Sequence, residues 1–151
     1  MNYKKIAIFS LLLWVVTVSF ILFKVIAGTV RQSDGRTEVI MTHSEKNFIL
    51  LEMRQLLQSV HGIINGLEKN DFQLVEQSAS AGGVKMMADL NPSLMMKLPL
   101  KFKQSGTEVH KMFDAIATAA ARKDKQEIMG MLNSTMGSCV ACHSIYQIKG
   151  E

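Results

Sequence analysis

Cysteine is nearly absent from this chain. Cys139 and Cys142 are the two present among 151 residues, which excludes a disulfide-rich scaffold and a four-cysteine zinc site. Proline also occurs twice, and glycine ten times, so collagen-like and proline-rich architectures are excluded. Charged residues are 20% against 48% hydrophobic, a balance that argues against long disorder. Aromatics are few at 7%, whereas methionine reaches eleven. The length suits one domain with a core of its own and is short for two. No β-rich alternating run, internal repeat or low-complexity tract stands out.

A basic excess is missing from most of the chain. The net charge is +4, but Lys4, Lys5 and Lys24 belong to or flank the N-terminal apolar stretch. From position 28 onward fourteen basic residues face thirteen acidic ones. No basic stripe is left to attract a polyanion, so nucleic acid is not an expected partner.

Residues 6–23, IAIFSLLLWVVTVSFILF, are eighteen in a row without a charge. Lys24 can snorkel, and Val25, Ile26 and Ala27 extend the run to the roughly twenty residues a membrane-spanning helix needs. Lys4 and Lys5 favour a cytoplasmic N-terminus. Two readings compete: an uncleaved anchor over residues 1–27, and a secretory signal cut after Ala27. The apolar region exceeds the roughly 7–15 residues of a signal peptide, which favours the anchor. Either reading carries the rest across the membrane, to the periplasm in a bacterium. The expectation is a single-pass inner-membrane protein, in the bilayer through residues 6–27. Residues 28–39 are polar and glycine-containing, lack a core pattern, and read as a tether.

Residues 40–151 read as an all-α domain. Ile49, Met53, Leu56, Val60, Ile63 and Leu67 recur at steps of four and three, one helical seam from about residue 40 to 69. Phe48, Leu50, Leu57 and Ile64 are expected to widen it. Asn70-Asp71 marks a turn and a cap. A second helix begins near Asp71, and Gly82-Gly83 leaves open whether it stops there or continues to Leu90. Asn91-Pro92 caps a short turn. A third helix, from about Pro99 to Arg122, has the seam Phe102, Gly106, Val109, Phe113, Ile116 and Ala120. A fourth, from about Asp124 to Lys149, has Ile128, Leu132, Thr135, Cys139, Cys142 and Tyr146. Short connections favour an antiparallel four-helix bundle with an N-terminal transmembrane helix.

Residues 139–143 are Cys-Val-Ala-Cys-His, the c-type haem attachment pattern. Two thiols three residues apart on one helical turn can form thioethers to the two haem vinyl groups. The adjacent His143 can then ligate the iron. A thioredoxin-like pair would want a strand-to-helix junction in a βαβ context. A zinc site lacks its second pair of ligands. A disulfide across two intervening residues leaves His143 without a role.

The stretch Cys-Val-Ala-Cys-His-Ser-Ile-Tyr, residues 139–146, on the last helix of such a bundle resembles the cytochrome c-prime family, the class II c-type cytochromes, and their low-spin relatives. The resemblance covers about residues 40–150 by helix order, and its one specific motif is the last. It implies one covalent haem c held by Cys139 and Cys142, with His143 as proximal axial ligand. In the family the first helix supplies the distal residue, apolar in c-prime itself and methionine in low-spin relatives. Met53 is the candidate here, against the alternative that it only fills core. His110 is its best rival. Members often pair as homodimers through their first two helices. Gln147, where a basic residue is frequent in the family, and Gly82-Gly83 depart from the pattern.

Other candidates have plainer readings. His61 lies beside the first seam, and His43 lies near the tether. Arg54 could pair with a haem propionate or remain solvated. Met86-Met87 and Met95-Met96 could suggest soft-metal binding, but no histidine or cysteine is near them in sequence, so packing is the expected role.

Two functions follow. A haem with both axial positions filled suits an electron carrier serving membrane-associated or periplasmic redox proteins. An open distal position suits binding of NO or CO. A membrane-anchored thiol-disulfide protein is the third reading. No proton-transfer dyad or nucleophile-base pair is apparent, so an enzyme is not expected.

Overall fold

The structure is a computed structural model and describes residues 3–151. Residues 1 and 2 of the expected anchor lie outside the described residues. The chain is mostly helical. Helix α1 spans Tyr3–Ala27, with none of its residues buried. It is long and apolar enough to cross a membrane, as a signal sequence also would be.

Residues 28–39, expected as a tether, instead contain most of a hairpin. Strand β1 (Val30–Ser33) runs antiparallel to β2 (Arg36–Met41), with Val30 opposite Val39. Asp34 and Gly35 turn the chain at φ 53° and 70°, the left-handed pair of a two-residue hairpin turn. Val39, Ile40 and Met41 are buried.

Helix α2 spans His43–Lys69. Thr42 opens it with a reciprocal cap: Glu45 N–H donates to Thr42 Oγ1 at 3.3 Å, and Thr42 N–H donates to Glu45 Oε2 at 2.7 Å. Asn70 closes it in the left-handed conformation. Asp71 then caps α3 (Phe72–Ala81) by accepting from Leu74 N–H at 3.0 Å. Leu57 and Ile64, expected in the buried stripe, are exposed, because the core contacts of this part of α2 lie on its Val60–Ile63–Leu67 side.

The second helix stops at Ala81 rather than continuing to Leu90. A Cβ on Gly82 would lie 3.0 Å from the Phe113 ring, and one on Gly83 would collide with the Asp114 carboxylate. The chain crosses the next helix closely there, and a side chain at either position would need Phe113 or Asp114 to shift. A 3-10 turn (Val84–Asp89) and α4 (Pro92–Lys97) follow before α5 (Leu100–Ala121).

Lys123, left-handed at φ 60°, and the Asp124 cap separate α5 from α6 (Lys125–Ile145). The fourth helix was expected to reach Lys149. It ends four residues earlier, and Tyr146–Gly150 forms β3, parallel to β2, with Ile148 opposite Val39. The expectation of an all-α domain without strands is corrected accordingly. The hairpin's apolar strand has an open edge, and residues 146–150 satisfy its backbone groups.

Helix α2 packs on α3, α3 on α5, and α5 on α6. Val60, Ile63, Val75, Phe113, Ile116 and Ile128 form one core among them. A second joins Val39, Met41, Ile49, Leu94, Leu98 and Phe102 at the hairpin end.

Two glycines test this packing with opposite signs. A Cβ on Gly66 would meet Val75 Cγ2 at 2.7 Å and the Asp71 carbonyl oxygen at 2.9 Å. Backbone cannot yield cheaply, so the overpacking cost of about 1–3 kcal/mol outweighs the better helix propensity, and Gly66→Ala lowers the urea midpoint. Gly130 has open space around its Cβ position, and Gly130→Ala raises the midpoint by roughly 0.5–1 kcal/mol of stability.

Candidate functional site: a cleft at the cysteine motif

The short α3 leaves one end of the helical assembly without a regular wall. The 3-10 turn and α4 fill that position incompletely, and a cleft opens there, a cavity of about 100 Å³ that widens to solvent. Helix α2 contributes Ile49, Glu52, Met53 and Leu56, and α5 contributes Phe102, Lys103, Gly106, Val109 and His110. Met87, Leu90, Met95 and Leu98 line the irregular side. Ser138, Cys139, Cys142 and His143 complete it from α6. Gly106 has nothing within 4 Å of its Cβ position, so that wall is set back.

The structure thus brings Cys139, Cys142, His143, Met53 and His110 to one cleft. The two cysteines are free thiols and half-buried. Burial pushes both thiols above their ordinary values, and the neighbouring Cys139 adds to the effect on Cys142. A thiol-disulfide catalyst needs the opposite shift, because the thiolate is the nucleophile. His143 is exposed at the cleft edge. Tyr146, beyond it, stacks edge-on against Phe102 with ring centroids 5.3 Å apart. Met53 and Cys142 both pack against the second core.

His110 is buried, and its Nδ1 lies 2.7 Å from the Gly82 carbonyl oxygen. That carbonyl can only accept, so Nδ1 carries the proton. The Nε2 of a neutral ring therefore keeps its lone pair. Among the described residues no cluster of three His, Cys, Asp or Glu side chains assembles.

Other sequence candidates fall elsewhere. Arg54, His61 and His43 are exposed and do not line the cleft. Gln147 belongs to the sheet: its Nε2 donates to Ser33 O at 3.1 Å, and Arg36 donates to its Oε1 at 3.0 Å. The methionine pairs split. Met87 and Met95 line the cleft with both cysteines, whereas Met96 is exposed. Distant in sequence from both cysteines, Met87 and Met95 are brought to their cleft by the 3-10 turn and α4.

Sequence reasoning missed Glu52. Its Oε1 is buried in this apolar wall without a hydrogen-bond partner. Burial raises its pKa to about 7. The available signal was a lone acid, Glu52, between seam positions Ile49 and Met53.

No protein-family model matches the chain, and no curated protein or solved structure is significantly similar to it.

The Glu52 shift has a sign for stability. Its folded-state pKa, about 7, lies above the ordinary 4.5, so the native state binds the proton more tightly than the unfolded chain. The resulting stability is intact below about 4.5 and is lost as pH rises through about 7. In urea unfolding across this range, Glu52→Gln flattens that decline and gains most over the parent above neutrality. An unchanged pH profile would show that the carboxyl is solvated.

Proposed function

We propose that the chain is a membrane-anchored monohaem c-type cytochrome that carries electrons on the periplasmic side of the inner membrane. The observation that carries this reading is the coincidence of Cys139, Cys142 and His143 with the apolar cleft. The motif alone is a pattern of five residues; its position beside an apolar, solvent-open cleft supports the reading.

The residues fit such a group. Cys139 and Cys142 would hold it through thioethers, and protonated, half-buried thiols sit beside the space it needs. His143 would supply the axial nitrogen. Ile49, Leu56, Leu98, Phe102 and Val109 exclude water from the cleft walls. Haem c, when bound, supplies a one-electron couple whose potential follows its axial ligands and burial. We take α2, α3, α5 and α6 as a four-helix bundle in the sense of the class II cytochromes, interrupted where α3 ends. Helix α1 is read as an uncleaved anchor.

Met53 is assigned as the distal ligand. It lines the cleft from α2 and, like Cys142, packs against the second core. A thioether raises the haem potential, which suits a carrier. The alternative, a five-coordinate protein that binds NO or CO, has an observation of its own: Leu56 lines the same wall and would present only carbon to the iron.

Expression with c-type haem maturation, followed by visible spectra, tests both steps. The haem is expected to stay with the polypeptide after acid–acetone extraction and to be lost in Cys139→Ala/Cys142→Ala. A parent protein without covalent haem overturns the assignment. Low-spin spectra with the far-red charge-transfer feature of sulfur–iron ligation are expected. Met53→Ala should convert them to high-spin and allow rapid CO binding to the reduced protein. Spectra unmoved by Met53→Ala transfer the ligand role to another residue, with His110→Ala as the next variant.

A further inference from the structure

Residue 28 follows α1 directly, and it is already docked. Gly28 sits at φ +69°, its N–H donating to the Lys24 carbonyl at 2.9 Å. A Cβ there would lie 2.5 Å from the Lys97 carbonyl oxygen and 2.8 Å from Pro99 N. Only glycine combines this conformation with so close an approach. Thr29 N–H then donates to the Lys97 carbonyl at 2.9 Å. From the domain side, Lys103 Nζ donates to the Val25 carbonyl at 3.0 Å and to the Met95 carbonyl at 3.3 Å. A lysine thus caps the last turn of α1, where its charge also complements the helix dipole.

The lengths leave little freedom. The eighteen uncharged residues 6–23 cover about 27 Å as a helix, close to the roughly 30 Å of a bilayer core. One helical turn later the chain is bonded to the α4–α5 connection. Two residues of extended chain reach at most about 7 Å, so a domain held at Gly28 and Thr29 stays at headgroup depth. The surface beside this joint suits that depth. Met96 is 58% exposed and Leu100 is 41% exposed. Lys101 is exposed next to them.

We propose that the α4–α5 corner, Met96, Leu100 and Lys101, is seated in the headgroup layer of the membrane that α1 crosses. The occupant is the anchor's own bilayer, because α1 enters it at this corner. The two apolar side chains reach the acyl boundary, and Lys101 meets anionic headgroups. Met95, Leu98, Phe102 and Lys103 belong both to this corner and to the cleft wall, so the cleft is held beside the membrane surface. Partners would then meet it in the plane of the membrane rather than through excursions on a tether. This inference rests on reading α1 as an anchor, not on the haem.

The test uses the full chain in vesicles of phosphatidylcholine with a minor fraction of phosphatidylglycerol. A trace of lipid carries a photoreactive group near its headgroup, and adducts are mapped by mass spectrometry. The expected adducts fall in α1 and in residues 93–104. The Lys123–Asp124 turn lies at the far end of the 22-residue α5, about 33 Å away along the helix, and should stay unlabelled. Met96→Glu/Leu100→Glu, at exposed positions, should lower labelling of the corner several-fold and leave α1 labelling unchanged. Adducts in α1 alone overturn the docking while keeping the anchor. Absence of adducts from α1 removes the anchor reading and the docking with it. Equal labelling of the corner and the far turn, or indifference to the double variant, also overturns the proposal.

Discussion

The close crossing of Gly82 and Gly83 over Phe113 and Asp114 decides where the regular helical packing stops. Helix α3 ends there after ten residues, beside neighbours of 27, 22 and 21 residues. Below the crossing, four helices share a core with Phe113 and Ile63 fully buried. Above it, the place of the missing helix is taken by a 3-10 turn and a six-residue helix. Such short pieces cannot present a continuous ridge to their neighbours. The unfilled space is the cleft, which follows from the length of α3 and needs no separate device.

The cleft walls expose carbon to solvent, at a cost. Packing density in cores leaves little void, and walls of Leu, Ile, Met and Phe gain nothing from water. Glu52 makes the cost visible, with a carboxylate oxygen buried and unmatched among them. On the proposed reading, an apolar group in the cleft would cover these walls, and the Glu52 carboxyl is the one feature its faces would not satisfy.

Helix existence was legible wherever a seam and a cap coincided. Asn70 and Asp71, Asn91 and Pro92, and Lys123 and Asp124 all bound elements close to where the sequence puts them, whereas the Thr42–Glu45 cap that opens α2 went unread. The inward residues of α5 and α6 were legible for the same reason, since a 3.6-residue period leaves few choices. The site motif was legible because it is contiguous. The hairpin was written in the Asp34-Gly35 pair, a strong local turn signal, but polar flanks hid the run Val39-Ile40-Met41 behind it. Strand β3 carried no signal of its own: five residues of mixed polarity become a strand only when an edge is offered. Burial of Glu52 and the meeting of Met87 and Met95 with the cysteines depend on how an irregular segment folds back, which no periodicity encodes.

The parallel pairing of β3 with β2 explains how the two ends of the domain are kept in register. Helix α6 carries the motif through His143 and ends at Ile145. Without β3, the last turn of α6 would fray, as helix ends do, and the cysteine pair lies within two turns of that end. Instead, residues 146–150 are bonded to the strand that leads directly into α2, and Glu151 N–H donates to the Met41 carbonyl at 3.0 Å. Buried Glu38 adds side-chain ties, accepting from Lys149 Nζ at 3.3 Å and from Gln147 Nε2 at 3.4 Å. Tyr146 closes on Phe102 from the same strand. The wall bearing Met53 and the wall bearing Cys139 and Cys142 are therefore spaced by a sheet, at the point where their helices are otherwise free to separate. Since β1 of that sheet follows Gly28 and Thr29, the same three strands connect the spacing of the cleft to the end of α1.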